Sequence, residues 1–357
     1  MFETLLPDID ALFVTNPLNI RYLTGFVGLA PDERESYVIV TTSKIYLFTT
    51  ALYIERANQF AFRNPHLVII ETSPITPLSS KIIQLSRELN IKIAGFESSD
   101  LTHAEFEKFT RELNLLTLLP TQNRIENMRI IKNLDEITKL KKAIQITDEC
   151  FAKILTHLKS GVSESEIAWD IETYFRNNGA QSAFPPIVAF DVNASQPHYA
   201  SSERYTLNAN SLILLDFGAK FNGYCADMTR MAFLGYPNPE IEKAYEALKN
   251  AQQKALDLLK AGKRNGAHLD KATRDELAIA SYPPYPHSLG QAVGLAIHEA
   301  PRLSIRQDEI LKPGMVVSVE PGIYVEGKFG MRIEDLVLIT DTGIEVLSKS
   351  PKNLTVL

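Results

Sequence analysis

The sequence has little that marks a secreted, membrane-spanning or nucleic-acid-binding protein. Among 357 residues there are two cysteines, Cys150 and Cys225, which excludes a disulfide framework and fits a reducing compartment. The net charge of −6 comes from 43 acidic and 37 basic side chains that are interspersed, so no basic face for nucleic acid or anionic membranes is present. No apolar run approaches the length of a membrane span, and the N-terminus lacks the features of a signal peptide. We therefore expect a cytoplasmic protein whose partners include no nucleic acid and no membrane.

Length and composition indicate a globular chain with two domains. Hydrophobic residues make up 45% and charged residues 22%, which is the globular average, and 357 residues are too many for one ordinary core. Over residues 1–123, short apolar runs alternate with helical patterns, so this part is predicted to be a small α/β domain. The pattern breaks at Pro120–Asn123, which predicts a domain boundary there and a second domain at 124–357. Predicted strands of the first domain are Ala11–Val14, Ser36–Thr41, Ile45–Thr49, Leu67–Glu71 and Ile93–Glu97, and predicted helices are Leu52–Asn58 and Ser79–Leu89.

The second domain combines long amphipathic helices with apolar strands. Apolar residues recur at helical spacing over 137–158, and Gly161 supplies the stop. Ser163 and Glu166 form a capping box that predicts a second helix ending near Gly179. Further helices are predicted at Ile241–Leu259 and Leu269–Ser281, and strands at Ser211–Gly218, Tyr224–Phe233, Met315–Glu320, Arg332–Thr340 and Glu345–Leu347. This order predicts an α+β domain.

Four carboxylates stand beside apolar strands of the second domain. Asp216 ends an apolar run, Asp227 follows eleven residues later, and Glu320 and Glu334 occupy similar positions near the C-terminus. Taken alone, each carboxylate is as well explained by a solvent-facing strand end as by a metal site. A carboxylate that is buried, however, is costly unless it is paired or binds a metal. If the four converge, cations must neutralise their repulsion. Oxygen-rich sites suit Mn(II), Mg(II) or Co(II), and two ions about 3.5–4 Å apart can activate water and polarise a carbonyl.

Neighbouring polar residues are candidates for supporting roles. Residues two apart on a strand share a face, so Thr229 is predicted to flank Asp227, and Arg332 to flank Glu334, as groups that orient ligands. For Thr229, ordinary strand propensity is an equal alternative.

Histidines of the same domain lie in unusual surroundings. His198 follows a loop signal, while His287 and His298 bracket Gly290 and Gly294. A single histidine is more often structural or solvent-exposed than catalytic. Glycines that allow close backbone approach favour a site here, although a turn or a packing role explains them equally well.

Taken in order, these motifs resemble the pita-bread metallopeptidases, specifically their prolidase and aminopeptidase P branch. The resemblance covers essentially the whole chain, through the segments Asn19–Phe26, Asn193–Tyr199, Gly294–Pro301, Ser318–Tyr324 and Arg332–Asp335. It implies a creatinase/prolidase-like α/β N-terminal domain plus an α+β C-terminal pita-bread catalytic domain. It also implies a homodimer that acts on proline-containing di- or oligopeptides.

The family resemblance implies a metal site with one altered ligand. Asp216 and Asp227 match the first two ligands, and Glu320 and Glu334 match the last two. Where the family has its ligand histidine, seven residues before His298, this chain has Gln291. An amide oxygen can coordinate, but it is neutral and a weaker donor to transition metals than imidazole. The implied cofactor is a pair of divalent ions, with Mn(II) foremost and Co(II) or Zn(II) as alternatives, and Gln291 is expected to weaken their binding.

The resemblance also assigns roles in hydrolysis. A hydroxide between the ions would attack the carbonyl before proline, Glu320 would relay the proton, and Arg332 would hold a carboxylate ligand. Substrate and oxyanion would be steadied by His198 and His298, and His287 opens the same glycine-bearing motif as a substrate-binding residue. Arg306 would clamp the C-terminal carboxylate of a dipeptide, which favours a dipeptidase over an aminopeptidase.

Two alternatives stay open at the level of sequence. One is a metal-free creatinase-like hydrolase, but such chemistry gives no reason to hold four carboxylates together. The other is an inactive pseudo-peptidase that binds peptides or proteins in the same cleft, which predicts a retained fold, poor metal binding and no turnover. A methionine aminopeptidase shares the ligand types, but the long N-terminal domain argues against it.

Overall fold

The computed structural model describes residues 3–30 and 34–357, and the chain divides into two compact units between Arg129 and Ile130. The N-terminal unit is an α/β layer with a mixed six-stranded sheet in the order β4-β3-β2-β1-β5-β6. Its strands are β1 (Ala11–Val14), β2 (Ser36–Val40), β3 (Ile45–Thr50), β4 (Leu67–Thr72), β5 (Ile93–Glu97) and β6 (Thr117–Thr121). Its helices are α1 (Pro17–Thr24), α2 (Ile54–Ala61), α3 (Leu78–Glu88), α4 (His103–Glu112) and α5 (Arg124–Ile130). The α/β class predicted for this part is confirmed.

Proline at position 120 does not end the N-terminal unit. Pro120 lies inside β6, an edge strand that pairs in parallel with β5. An edge strand tolerates proline because one side of its backbone needs no ladder hydrogen bond. The compact unit then continues through most of α5 to Arg129, beyond the boundary expected after Asn123.

The C-terminal unit is α+β, as predicted. Its helices are α6 (Leu134–Leu155), α7 (Glu164–Asn177), α8 (Pro239–Lys260) and α9 (Gly266–Ile279). The capping box of Ser163 and Glu166 begins α7, as expected. The strands are β7 (Gln181–Ser182), β8 (Ile187–Phe190), β9 (Ser211–Asp216), β10 (Ala219–Phe221), β11 (Tyr224–Cys225), β12 (Thr229–Leu234), β13 (Gly290–Ala292), β14 (Glu299–Leu303), β15 (Val316–Val319), β16 (Gly322–Val325), β17 (Phe329–Arg332), β18 (Asp335–Ile339), β19 (Ile344–Val346) and β20 (Thr355–Val356). None of the described helices is both long and apolar enough to cross a membrane.

Strand β9 explains why an apolar run ends in a carboxylate. It lies inside a four-stranded sheet ordered β20-β12-β9-β8, and all its residues are buried. Leu212 and Leu214 pack in the core cluster that includes α8 and α9, whereas Ile213 and Leu215 pack in the cluster that includes α6 and α7. A strand covered on both faces reads as continuously hydrophobic. Asp216 therefore emerges at the end of a rigid, fully buried strand.

Two strands predicted as continuous are interrupted at the carboxylates. The predicted strand Tyr224–Phe233 splits into β11 and β12, and Asp227 lies between them. The predicted strand Arg332–Thr340 likewise splits, with Glu334 between β17 and β18. Because Asp227 and Glu334 lie between strands, their side chains do not follow the alternation of faces along a strand. Strand spacing therefore does not predict their neighbours.

Two glycines allow close backbone approaches near these carboxylates and Glu320. A Cβ added at Gly218 would lie 1.8 Å from the carbonyl oxygen of Ala226, and one at Gly290 would lie 2.0 Å from that of Ser318. Any side chain at either position would force the backbones apart. The predicted role of Gly290 in close backbone approach is thus borne out by the geometry.

Candidate metal centre

Three buried carboxylates converge in the C-terminal unit. Asp216, Asp227 and Glu334 each offer an oxygen, and these oxygens all lie within 4.8 Å of one another. The residues come from three chain segments that β9 and β12 bring together, since Thr229 is opposite Asp216 in the ladder and the amide of Glu334 donates to the carbonyl of Thr229 at 3.1 Å. The convergence expected of these carboxylates therefore occurs.

The electrostatics of this group favour a bound cation. Burial, followed by the negative charge of Asp216, raises the pKa of Asp227 well above its usual value, and burial and then Asp227 do the same to the pKa of Glu334. Oδ1 of Asp216 and Oε1 of Glu334 are buried and have no hydrogen-bond partner within the described part of the chain. Buried carboxylate oxygens without donors are what a hard divalent ion requires. The donor set thus fits a divalent metal.

Thr229 and Arg332 support different carboxylates from those predicted. The hydroxyl of Thr229 donates to Oε2 of Glu334 at 3.0 Å, and the guanidinium of Arg332 donates to Asp216, with its Nε donating to Thr229 at 3.0 Å. Strand spacing predicts Thr229 beside Asp227 and Arg332 beside Glu334, but the hydrogen bonds go to other carboxylates because neither Asp227 nor Glu334 lies in a regular strand. Both residues nevertheless contact this acidic group and orient it.

Glu320 and Gln291 lie to one side of the three-carboxylate group. Oε1 of Glu320 accepts from the hydroxyl of Ser318 at 2.8 Å, and its carboxylate also interacts with the side chain of Gln291. Gln291 is buried at the middle of β13, and its Nε2 donates to Oδ2 of Asp227 at 3.3 Å. Burial raises the pKa of Glu320 to about 7. Glu320 thus adjoins the acidic group through the side chain of Gln291.

His287 is connected to the acidic group through Tyr324 and Arg332. The sequence analysis gave Tyr324 no role. Nε2 of His287 is 3.0 Å from the hydroxyl of Tyr324, which accepts from Arg332 at 2.6 Å. The imidazole also stacks on Tyr285, whose ring lies against the guanidinium of Arg274. Tyr324 belongs to the matched segment after Glu320, but its contact with Arg332 appears only in three dimensions.

The remaining predicted residues line one cavity. The cavity has a volume of about 1270 Å³, and its walls include the three carboxylates together with His198, His287, His298 and Arg306. His198, His298 and Arg306 are exposed, whereas His287 is partly buried. Burial, and then the charge of Arg302, lower the pKa of His298. The histidines and Arg306 thus surround the space in front of the buried oxygens.

Glu164 holds the loop that carries His198, a role the sequence does not signal. Its side chain is fully buried at the start of α7. Oε1 accepts from the amide of Phe190 at 2.8 Å and from Nδ2 of Asn193 at 2.9 Å, while Oε2 accepts from the amide of Ser202 at 3.1 Å. One carboxylate therefore ties both ends of the His198 loop to a helix.

Replacing Glu164 with Gln is expected to loosen this loop. The amide places an N–H₂ against the N–H of Ser202 or of Phe190, so one buried donor loses its acceptor, at a cost of about 1–3 kcal/mol. We expect kcat/KM for a peptide substrate to fall about 10–100-fold through a rise in KM, because small displacements of a positioning group have such effects. Glu166→Gln on the same helix, which keeps the capping box, is the control. An unchanged KM in Glu164→Gln would contradict this role.

His287 is expected to make stability depend on pH. Burial, and then the positive charge of Arg332, lower the pKa of its imidazole to about 4 from an ordinary 6.5. The folded protein keeps His287 neutral while the unfolded chain takes up a proton, so stability is present above pH 6.5 and is lost as pH falls toward 4. The loss due to this residue is on the order of 2–3 kcal/mol. Urea unfolding at several pH values between 7 and 4 gives the free energy of unfolding as a function of pH. This free energy should fall less steeply with pH in His287→Gln than in wild type, and as steeply as in wild type in the exposed His268→Gln. Equal pH dependence in wild type and His287→Gln would refute the assignment.

Two known protein-family patterns together match most of the chain. The pattern of metallopeptidase family M24 matches residues 138–341, and that of the creatinase/prolidase N-terminal domain matches residues 7–131. An uncharacterized peptidase of Bacillus subtilis, YqhT, is 35% identical over 355 residues, which cover 98% of this chain and 96% of that protein.

Solved structures with the same fold include two proline-specific peptidases. The Xaa-Pro dipeptidase from Bacillus anthracis superposes with a TM-score of 0.90 at 34% identity, covering 100% of this chain and 97% of its own. The X-Pro aminopeptidase from Thermotoga maritima superposes with a TM-score of 0.90 at 29% identity, covering 100% and 99%. These structures share the creatinase-like N-terminal domain and the pita-bread C-terminal domain expected from the motifs.

Proposed function

The chain belongs to metallopeptidase family M24, and from this membership we propose that it is a metal-dependent peptidase that cleaves the bond before proline. The observation that carries the proposal is the buried group of Asp216, Asp227 and Glu334, which opens into a cavity lined by His198, His287 and His298. Relatives whose names specify Xaa-Pro substrates support the proline preference.

Divalent cations are the proposed cofactor, with Mn(II) foremost and two ions at full loading. Asp216, Asp227, Glu320 and Glu334 would hold them, and Gln291 occupies the position of the fifth, neutral ligand. When bound, such ions polarise a carbonyl and lower the pKa of water. Among the described residues, Arg332 is the cationic side chain that pairs with this group, through Asp216, so a bound metal would balance the remaining negative charge.

The chain's own residues then divide the remaining tasks. Glu320, whose Oε1 accepts from Ser318 at 2.8 Å beside the three carboxylates, would accept a proton from the nucleophile and return it to the leaving amine. His198 and His298 stand at the exposed wall of the cavity, where they reach a substrate carbonyl. Arg332 and Thr229 keep the carboxylates oriented, which limits reorganisation during the reaction.

A dipeptide is the proposed substrate within the Xaa-Pro class. Proline makes the scissile amide tertiary and removes its N–H, so recognition falls on a ring, a carbonyl and the chain termini. Arg306 lines the cavity and is exposed, so its guanidinium is available to a C-terminal carboxylate. An aminopeptidase would instead accept longer peptides that extend past this residue. We also propose that the protein is a cytoplasmic homodimer.

The experiment that tests this function compares peptides that differ from Ala-Pro either in the residue after the scissile bond or in length. Ala-Pro, Ala-Ala and Ala-Pro-Ala are incubated with Mn(II)-loaded and chelator-treated protein, and released amino acids are quantified. We expect metal-dependent release of proline from Ala-Pro, with less turnover of the other two. Turnover that survives chelation would favour the metal-free hydrolase, and folded protein without turnover of any peptide would favour a peptide-binding role.

A further inference from the structure

The side chain of Gln291 meets two carboxylates, those of Asp227 and Glu320. Its Nε2 donates to Oδ2 of Asp227 at 3.3 Å, and Glu320 interacts with the same side chain. An amide N–H₂ donates hydrogen bonds and cannot bind a metal, whereas the amide oxygen can. The amide therefore directs its nitrogen, and not the oxygen that could bind a metal, at Oδ2 of Asp227.

Glu320 is likewise engaged by protein donors. Its Oε1 accepts from Ser318 at 2.8 Å, and the hydroxyl of that serine also lies 3.0 Å from the backbone amide of Gln291. Ser318 and Gln291 together satisfy this side of the centre with hydrogen bonds. A cation placed there would have to displace the amide from Asp227 and gain only a neutral oxygen in return.

The part of the centre formed by Asp216 and Glu334 is less completely hydrogen-bonded. Asp216 and Glu334 are 7% and 1% exposed, and each keeps one buried oxygen without a hydrogen-bond partner in the described chain. Three carboxylates against the one guanidinium of Arg332 leave two negative charges, which a single divalent ion neutralises. This side is already arranged for one ion.

We infer that the two cation positions are unequal: one ion binds tightly at Asp216, Asp227 and Glu334, and the amide of Gln291 acts as a hydrogen-bonded plug that weakens the second position beside Glu320. The inference rests on the proposed metal dependence and adds to it the stoichiometry and the residue that sets it. At low metal concentration the working form of the protein is therefore mononuclear.

Metal binding without any peptide substrate tests this inference. Chelator-treated full-length protein is dialysed against a series of free Mn(II) concentrations, bound manganese is measured by elemental analysis, and low-temperature EPR separates isolated from spin-coupled ions. We expect one tightly bound ion per chain with an uncoupled spectrum, and a second that binds at least about 10-fold more weakly. In Gln291→His the second ion should tighten by about 10-fold or more and the spectrum should become coupled, because imidazole is the better donor.

Two further variants exclude simpler explanations. Gln307→His also adds an imidazole to the cavity, from its exposed loop, and should bind like wild type. Gln291→Ala removes the plug without adding a ligand, and should keep the tight ion because Gln291 does not hold it.

The possible results distinguish failure of this inference from failure of the proposed metal dependence. Two equally tight ions in wild type, loss of the tight ion in Gln291→Ala, or no gain in Gln291→His would overturn the unequal positions and leave metal dependence standing. Failure of wild type to bind any Mn(II) would overturn both.

Discussion

Glu334→Gln is expected to eliminate the stabilisation of the protein by Mn(II) and to lower Ala-Pro hydrolysis at least about 100-fold. Changes in groups that only orient a ligand cost about 10–100-fold, so loss of a ligand should cost at least as much. Without metal, the same variant should be more stable than wild type. The neutral amide removes the buried charge, and then the repulsion from Asp227, that together raise the pKa of Glu334, and it still accepts from Thr229.

Thermal unfolding with chelator and with excess Mn(II) measures both effects of Glu334→Gln. Wild type should gain about 2.7 kcal/mol when the metal is at 100 times its Kd, whereas the variant should gain little. Without metal, the variant should melt a few degrees higher, since about 1 kcal/mol moves the Tm of a domain of this size by roughly 2–4 °C. Glu326→Gln, at an exposed position beside β17, is the matched control. A variant that is less stable than wild type in chelator would show that the carboxylate contributes favourable contacts instead of repulsion.

Arg332→Met is expected to cost about 3–5 kcal/mol of stability in the metal-free protein. The guanidinium is buried and donates to Asp216, Thr229 and the hydroxyl of Tyr324. Removing one partner of a buried ion pair leaves the other charge uncompensated, and this accounts for most of the loss. Mn(II) should recover part of the stability, because a cation then neutralises Asp216.

Two comparisons make the result for Arg332→Met specific. Adding Asp216→Asn removes the stranded charge, so the double variant should be more stable than Arg332→Met alone. Arg306→Met alters an exposed arginine of the same cavity and should change stability by no more than about 0.5 kcal/mol. The assignment fails if Arg332→Met unfolds like wild type in urea, or if the double variant loses the sum of the two single effects.

Several features of the protein follow from local sequence alone. The strands Ala11–Val14 and Ile93–Glu97 were predicted with the bounds that the structure has, because short apolar runs between turn signals have few alternative conformations. The capping box of Ser163 and Glu166 marked the start of α7 in the same way. The order of motifs along the chain was enough to identify the family and both domain types, since the spacing of several motifs is far more specific than any single one.

The sequence by itself thus determined many of the helices and strands, the family and the set of acidic residues, but not the contacts among them. Arg332 pairs with Asp216 across 116 positions, and Thr229 with Glu334 across 105, and such partners depend on how strands cross. Strand periodicity predicted other pairs because Asp227 and Glu334 lie where their strands break. Only the tertiary structure decided the contacts of Glu164 and Tyr324 and the orientation of the Gln291 amide. Their roles arise from burial and from hydrogen-bond donors and acceptors that distant segments place around them.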